Sequence, residues 1–217
     1  MRTKTNILAT AAALAITATG ANAASVLIDL TDESSYSFST SEITGAGGGA
    51  AFTITPNMSV LTQGPDGPGA IGPLAGENDG IGIRDDEVTF PAQFLSLEFS
   101  RDVVITALYF LDLFQSPDGH SSAEAAEVTS NTAATGTFSA QVPIRVNPVG
   151  YGAFTGLALD GNTFSFAALA SNDTVANPDY ALAGFEYEVA PVPLPAGIAL
   201  LAGALGGLGL MRRRKAA

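Results

Sequence analysis

In the stretch TFSAQVPIRV the apolar side chains fall on every second residue. Phe138, Ala140, Val142, Ile144 and Val146 share one face, and Thr137, Ser139, Gln141, Pro143 and Arg145 share the other. Successive side chains of a strand point to opposite faces, so a period of two marks a half-buried strand. FEYEV repeats the pattern, with Phe185, Tyr187 and Val189 inward and Glu186 and Glu188 outward. FLSLEFS sets Leu95, Leu97 and Phe99 against Ser96 and Glu98. Pro143 has no amide proton for a ladder, which assigns its strand to an edge. No long stretch of helical period interrupts the middle of the chain.

VVITALYFLDLF, residues 103–114, is apolar on both faces and predicts a long central strand. Further strands are expected at 25–30, 36–40, 50–55, 58–62, 80–83, 124–130, 154–159 and 163–170. Turn residues separate them: Gly45 to Gly49, the run from Gly64 to Gly69, Asp118-Gly119, and Asp160-Gly161-Asn162. The last lies between two apolar runs and predicts a hairpin. GAGGGA at 45–50 lacks the strand–loop–helix setting of a phosphate loop and is expected to be a flexible turn. Roughly ten short strands at this spacing predict an all-β domain, a two-sheet antiparallel β-sandwich of jelly-roll type.

The two ends of the sequence are of another kind. Arg2 and Lys4, the apolar run ILATAAALAITA and the A-x-A site Ala21-Asn22-Ala23 have the form of a secretory signal peptide over 1–23. At the other end, Pro191, Pro193 and Pro195 alternate and forbid regular structure. Leu194 to Met211 then carries no charge, and as a helix it would cover roughly 26 Å, close to a bilayer core. Arg212, Arg213, Arg214 and Lys215 follow, and the positive-inside rule puts such a cluster in the cytoplasm. A signal helix, a domain over 24–190 and one transmembrane helix within 191–217 are therefore expected. Gly203 and Gly207 form a small-xxx-small pair, but neighbouring glycines make a loosely stable helix the simpler reading.

Val192, Pro193, Leu194, Pro195 and Ala196, followed by the apolar helix and the basic end, resemble the VPLPA variant of the PEP-CTERM sorting signal. The resemblance covers only the last 26 residues. It implies export by the Sec route and signal peptidase, then an inner-membrane intermediate with a cytoplasmic C-terminus. It further implies processing within the motif by an exosortase-type membrane transpeptidase, and release to the surface of an exopolysaccharide-making Gram-negative cell. A second and much weaker resemblance joins Gly80 to Glu87 with the strands at 94–99 and 103–110. That pattern is similar to ectodomains of other PEP-CTERM-type proteins, which are galactose-binding-like; no ligand residue is carried over from it.

All 21 acidic residues lie in 24–190, where Arg84, Arg101 and Arg145 are the only basic ones, so this part carries a net charge of −18. Such a surface repels nucleic acid and favours cations. The chain has no cysteine, which removes thiol nucleophiles and cysteine-ligated metals. Its one histidine, His120, sits in the turn-rich SPDGH and is expected to be a solvated loop residue, not a catalytic base.

Glu77-Asn78-Asp79-Gly80-Ile81-Gly82-Ile83-Arg84-Asp85-Asp86-Glu87 is the best site candidate. Calcium takes several oxygen ligands from carboxylates, amides and backbone carbonyls. Glu77, Asp79, Asp85, Asp86 and Glu87 are candidate Ca²⁺ ligands, with Asp66 and Asp118 as contributors. The spacing is not that of an EF-hand. The plainer alternative is a solvated loop in which Arg84 pairs with Asp85 or Asp86. Glu98 with Asp102, or Asp85 with Glu87, would be the carboxylate pair of a glycosidase, but pairs arise by chance in so acidic a domain. There is no tryptophan platform for sugar, and only Tyr36, Tyr109, Tyr151 and Tyr180 are available outside the last strand. No hydrolase or metalloprotease motif is present. The expectation is a non-enzymatic, structural or adhesive protein of the cell surface or matrix, associated with exopolysaccharide. A carbohydrate-binding module, with or without Ca²⁺, is the alternative, and an extracellular hydrolase the third.

Overall fold

β7 (Phe94–Leu111) and β10 (Gly152–Ala168) organise the molecule, because they pair with each other along nearly their whole length. In this computed structural model the described residues are 24–65, 67–114, 123–140, 150–170 and 178–190. The expected signal peptide, the sorting motif, the transmembrane segment and its basic end lie outside them. So do Asp66, Asp118, His120 and the second half of the strand expected through Pro143. Among the described residues no helix is long and apolar enough to cross a membrane.

The fold is all-β and antiparallel. The first half of β7 pairs with β4 (Ala50–Pro56), and its second half pairs on the same edge with β11 (Ala181–Val189). β11 also pairs with β1 (Val26–Asp29). β4 continues to β3 (Ile43–Gly47) and β2 (Ser37–Phe38). On the other edge, the second half of β10 pairs with β8 (Ala125–Ser130), which pairs with β9 (Thr135–Ser139). These nine strands form one sheet, and β5 (Leu61–Thr62) with β6 (Gly82–Ile83) forms a small second one.

The large sheet folds over on itself at the middle of β7 and β10. Phe52 of β4 meets Phe185 of β11 with ring centroids 5.5 Å apart, although each pairs with a different half of β7. Phe99 packs at the fold against Phe52, Phe164, Phe185 and Tyr187. The alternating segments behave as their patterns require: Leu95, Leu97, Phe99, Phe138, Ala140, Phe185 and Tyr187 are buried. Residues 107–111 are buried on both faces, because Ile71 and Leu74 cover Ala107, Tyr109, Leu111, Ala181 and Ala183 from behind, whereas Val104 and Thr106, before that cover, are half-buried. Asp29 holds that cover in place. Its carboxylate accepts from the backbone N–H of Thr31 and Ala75, and the Thr31 hydroxyl accepts from Gly76.

Three expectations are corrected. Asp160-Gly161-Asn162 is not a hairpin: the two strands expected around it are one, β10, with an irregular register between Gly161 and Thr163. Gly161 has φ +148°, and a Cβ there would meet Asn131 Oδ1, so glycine lets the strand bend where its neighbour crowds it. The segments 94–99 and 103–114 are likewise one strand as far as Leu111. Gly45 to Gly47 belong to β3, leaving Gly48 and Gly49 as the turn.

This arrangement gives the domain two ends. The fold-over end holds the turn at Gly48-Gly49, residues 100–102, Asp160 to Asn162, the start of β1 and the finish of β11. The opposite end gathers the finish of β7, the start of β8, the finish of β10 and the start of β11. There Glu124 N–H reaches Phe114 O, Leu169 N–H reaches Ala125 O, and Val88 N–H reaches Tyr180 O.

Candidate functional site

The loop after β5 returns across the open end of the sheet and is fixed by its own backbone. Asp79 N–H donates to Gly64 O (3.2 Å), Ile81 pairs with Leu182, and Ile83 N–H donates to Glu87 O (2.9 Å). Asn78 turns back to accept from Gly80 N–H, and Asp86 N–H donates to the Thr62 hydroxyl. Three non-glycine residues here take the left-handed region: Arg84 (φ +74°), Asp86 (φ +68°) and Asp112 (φ +54°). Asp tolerates that region better than most residues.

The candidate ligands divide into groups. Asp79 and Asp86 converge: a Cβ at Gly64 would collide with Oδ2 of both. Glu87 turns to Asp179, and the two carboxyls share a hydrogen bond. Burial pushes both carboxyls above the usual range. Their mutual repulsion adds to this for Glu87, and the charge of Glu124 adds to it for Asp179. Glu77 and Asp85 are exposed at the rim. Among the described residues no three carboxylate or histidine side chains form a ready-made metal shell.

Three carboxylates absent from the expected set belong to this end. Asp179 precedes β11. Asp112 follows β7 and is pushed up to about 7, first by burial and then by the charges of Asp79, Glu87 and Asp86. Glu124 is buried and its Oε2 accepts from Phe114 N–H at 2.7 Å. The signal available for them is a single acid inside an apolar run, as in Leu111-Asp112-Leu113 and Pro178-Asp179-Tyr180. What the sequence does not show is that chain segments so far apart meet.

A cleft of about 350 Å³ lies beside the loop, lined by Glu33, Gln63, Gly64, Pro65, Glu77 and Asn78. Behind it Tyr36 donates to Leu30 O (2.9 Å) and accepts from the Gln63 amide. Burial pushes its phenol up to about 12, so it stays neutral. Tyr109 donates to Glu186 (2.6 Å), away from this cleft on the β7–β11 face. Tyr180 is fully buried against Phe110, so neither tyrosine offers a sugar platform. Of the proposed glycosidase acids, Glu98 and Asp102 lie on the first half of β7 and at the fold-over, far from the acidic end.

Chemically the acidic end is a store of confined negative charge. Burial and neighbouring negative charge raise three of its carboxyls, Glu87, Asp112 and Asp179, toward neutral pH. No protein-family model matches the chain, and no curated protein matches it.

Proposed function

We propose that this chain is an exported, non-enzymatic protein of the cell surface or extracellular matrix, structural or adhesive beside exopolysaccharide, whose acidic end takes Ca²⁺. The observation that carries the export reading is the order of VPLPA motif, apolar run and basic end in the sequence. An exosortase-type transpeptidase, acting after Sec export and signal peptidase, is the partner that this order fits. The finer architecture proposed is a two-sheet β-sandwich of jelly-roll or galactose-binding-like type, supported by the fold-over of β7 and β10 around one aromatic core.

The cation reading is supported by carboxylates from four chain segments meeting at one end, with Asp79 and Asp86 crowded and Glu87 hydrogen-bonded to Asp179. Ca²⁺ suits this oxygen-only set, and binding would separate Glu87 from Asp179 as their shared proton leaves. The melting temperature should rise more with Ca²⁺ than with Mg²⁺ at equal ionic strength, and Asp86→Asn should abolish the difference. An equal response to both ions counts against a site. For the export reading, mass spectrometry of the secreted protein should find 197–217 removed; intact Arg212 to Lys215 would reject it.

The cleft between Glu33, Gln63 and Glu77 favours a second reading, a carbohydrate-binding module. Saturable binding to one sugar on a glycan array, with and without Ca²⁺, separates it from a purely structural role.

A further inference from the structure

β1 and β11 are antiparallel neighbours, with Val26 opposite Tyr187 and Asp29 opposite Gly184. The first described residues, Ala24 and Ser25, therefore stand beside Glu188 and Val189. Ala190 N–H closes on Asp102 O at the fold-over. Both flanks of the domain thus leave it side by side at one end, although they are separated by the whole domain in sequence. Each flank leads to an apolar run, Ile7–Ala18 on one side and Leu194–Met211 on the other.

The geometry points to the fold-over end as the surface that faces a lipid bilayer, with the acidic end held away from it. This rests on the reading above that the flanking apolar runs enter a membrane. From Ala190 to Leu194 is four residues, a reach of at most about 14 Å. β11 alone, nine residues long, separates the two ends by roughly 26 Å. A short tether at one end cannot bring the other end to the bilayer unless the domain lies flat.

Charge opposes lying flat. Glu77, Asp79, Asp85 and Asp86 crowd the far end with Arg84 among them, and the raised carboxyls of Glu87, Asp112 and Asp179 stand behind them. The fold-over end shows Arg101 with Asp102, Asp160, Glu98 and Glu188. Anionic headgroups repel the first, with more carboxyls, more than the second. Once both flanks are removed, the two cut ends remain adjacent, so attachment through either presents the acidic end outward.

The sequence has no cysteine, so a single one can carry a fluorophore. Ala51→Cys marks the fold-over end and Ala170→Cys the acidic end; both positions are exposed. The unprocessed full chain is reconstituted in vesicles of phosphatidylcholine and phosphatidylglycerol containing a headgroup-nitroxide lipid. It should float with the vesicles, with quenching at the Ala51 position several-fold stronger than at the Ala170 position. Flotation with equal or reversed quenching overturns the orientation and leaves the membrane reading standing. Failure to float with the vesicles overturns both.

Discussion

At the middle of β7, Phe99 meets four aromatic rings; just past the end of the same strand, Asp112 meets carboxylates. The first region is built from contacts that are satisfied in the folded chain alone. Rings at centroid separations from 4.8 to 6.4 Å fill the crease where the sheet turns over. The second region confines charges that oppose one another. A strand that is anchored so firmly at its bend can carry an unfavourable cluster at its tip. Stability resides in the crease, and the carboxyls raised toward neutral pH reside at the open end.

The strongest way to break this contrast is Phe99→Ala. Removing a buried phenylalanine costs about 3–5 kcal/mol, and a domain of this size should lose about 10 °C in melting temperature. The loss should be the same at pH 5 and pH 8, because the titratable group against the ring, the Tyr187 phenol, is raised by burial above its ordinary value of 10 and stays neutral at both. A loss confined to one pH would mean that the two regions are not independent.

Next comes pH itself. Asp112 has an ordinary value of 3.8 and is raised to about 7 in the fold. A raised carboxyl favours folding at low pH and withdraws that support as pH rises through about 7. Glu87 and Asp179 shift in the same direction. The protein should therefore be more stable at pH 5 than at pH 8 in the absence of divalent ions. Asp112→Asn should remove part of that slope, on the order of 2 kcal/mol after allowing for solvent screening. Asparagine also tolerates the positive φ, so the backbone is not disturbed. A variant with an unchanged pH slope would show that Asp112 does not feel its neighbours.

If the acidic end takes Ca²⁺ as proposed, the ion should sharpen the same contrast by a smaller amount. At ten times the dissociation constant it should add about 1.4 kcal/mol at pH 8. At pH 5, where Glu87 and Asp179 are protonated, the gain should shrink. A titration near pH 7 in weak buffer should release protons as the ion binds. Binding without proton release would place the ion elsewhere on the acidic surface.

Period-two patterns in FLSLEFS and FEYEV were enough to assign Leu95, Leu97, Phe99, Phe185 and Tyr187 to the core. They were enough because alternation is a local consequence of strand geometry. The bend was not legible. Asp160-Gly161-Asn162 has the composition of a hairpin turn, and whether such a site reverses or bends a strand depends on Asn131 and β7 beside it. The candidate site was legible by half. The acids from Glu77 to Glu87 stand together in sequence, so they were visible. Asp112, Glu124 and Asp179 join them only through strand pairing across the domain.

The smallest effect tests whether the crowding at the acidic end is real. A Cβ at Gly64 would collide with Oδ2 of both Asp79 and Asp86, so Gly64→Ala must displace both carboxylates. Overpacking of this kind costs about 1–3 kcal/mol. Part of that cost should vanish when Asp86→Gly is made together with it, because the alanine methyl then has only the Asp79 carboxylate to displace. Gly suits the positive φ at position 86, so the second change adds no backbone strain. The double-mutant cycle should return a favourable coupling of about 1 kcal/mol. The same cycle between Gly64→Ala and Phe99→Ala should return none, since the crease and the open end share no contact. A coupling in the second cycle as large as in the first would unite the two regions into one cooperative network, in which the carboxylates at the tip set the packing at the bend.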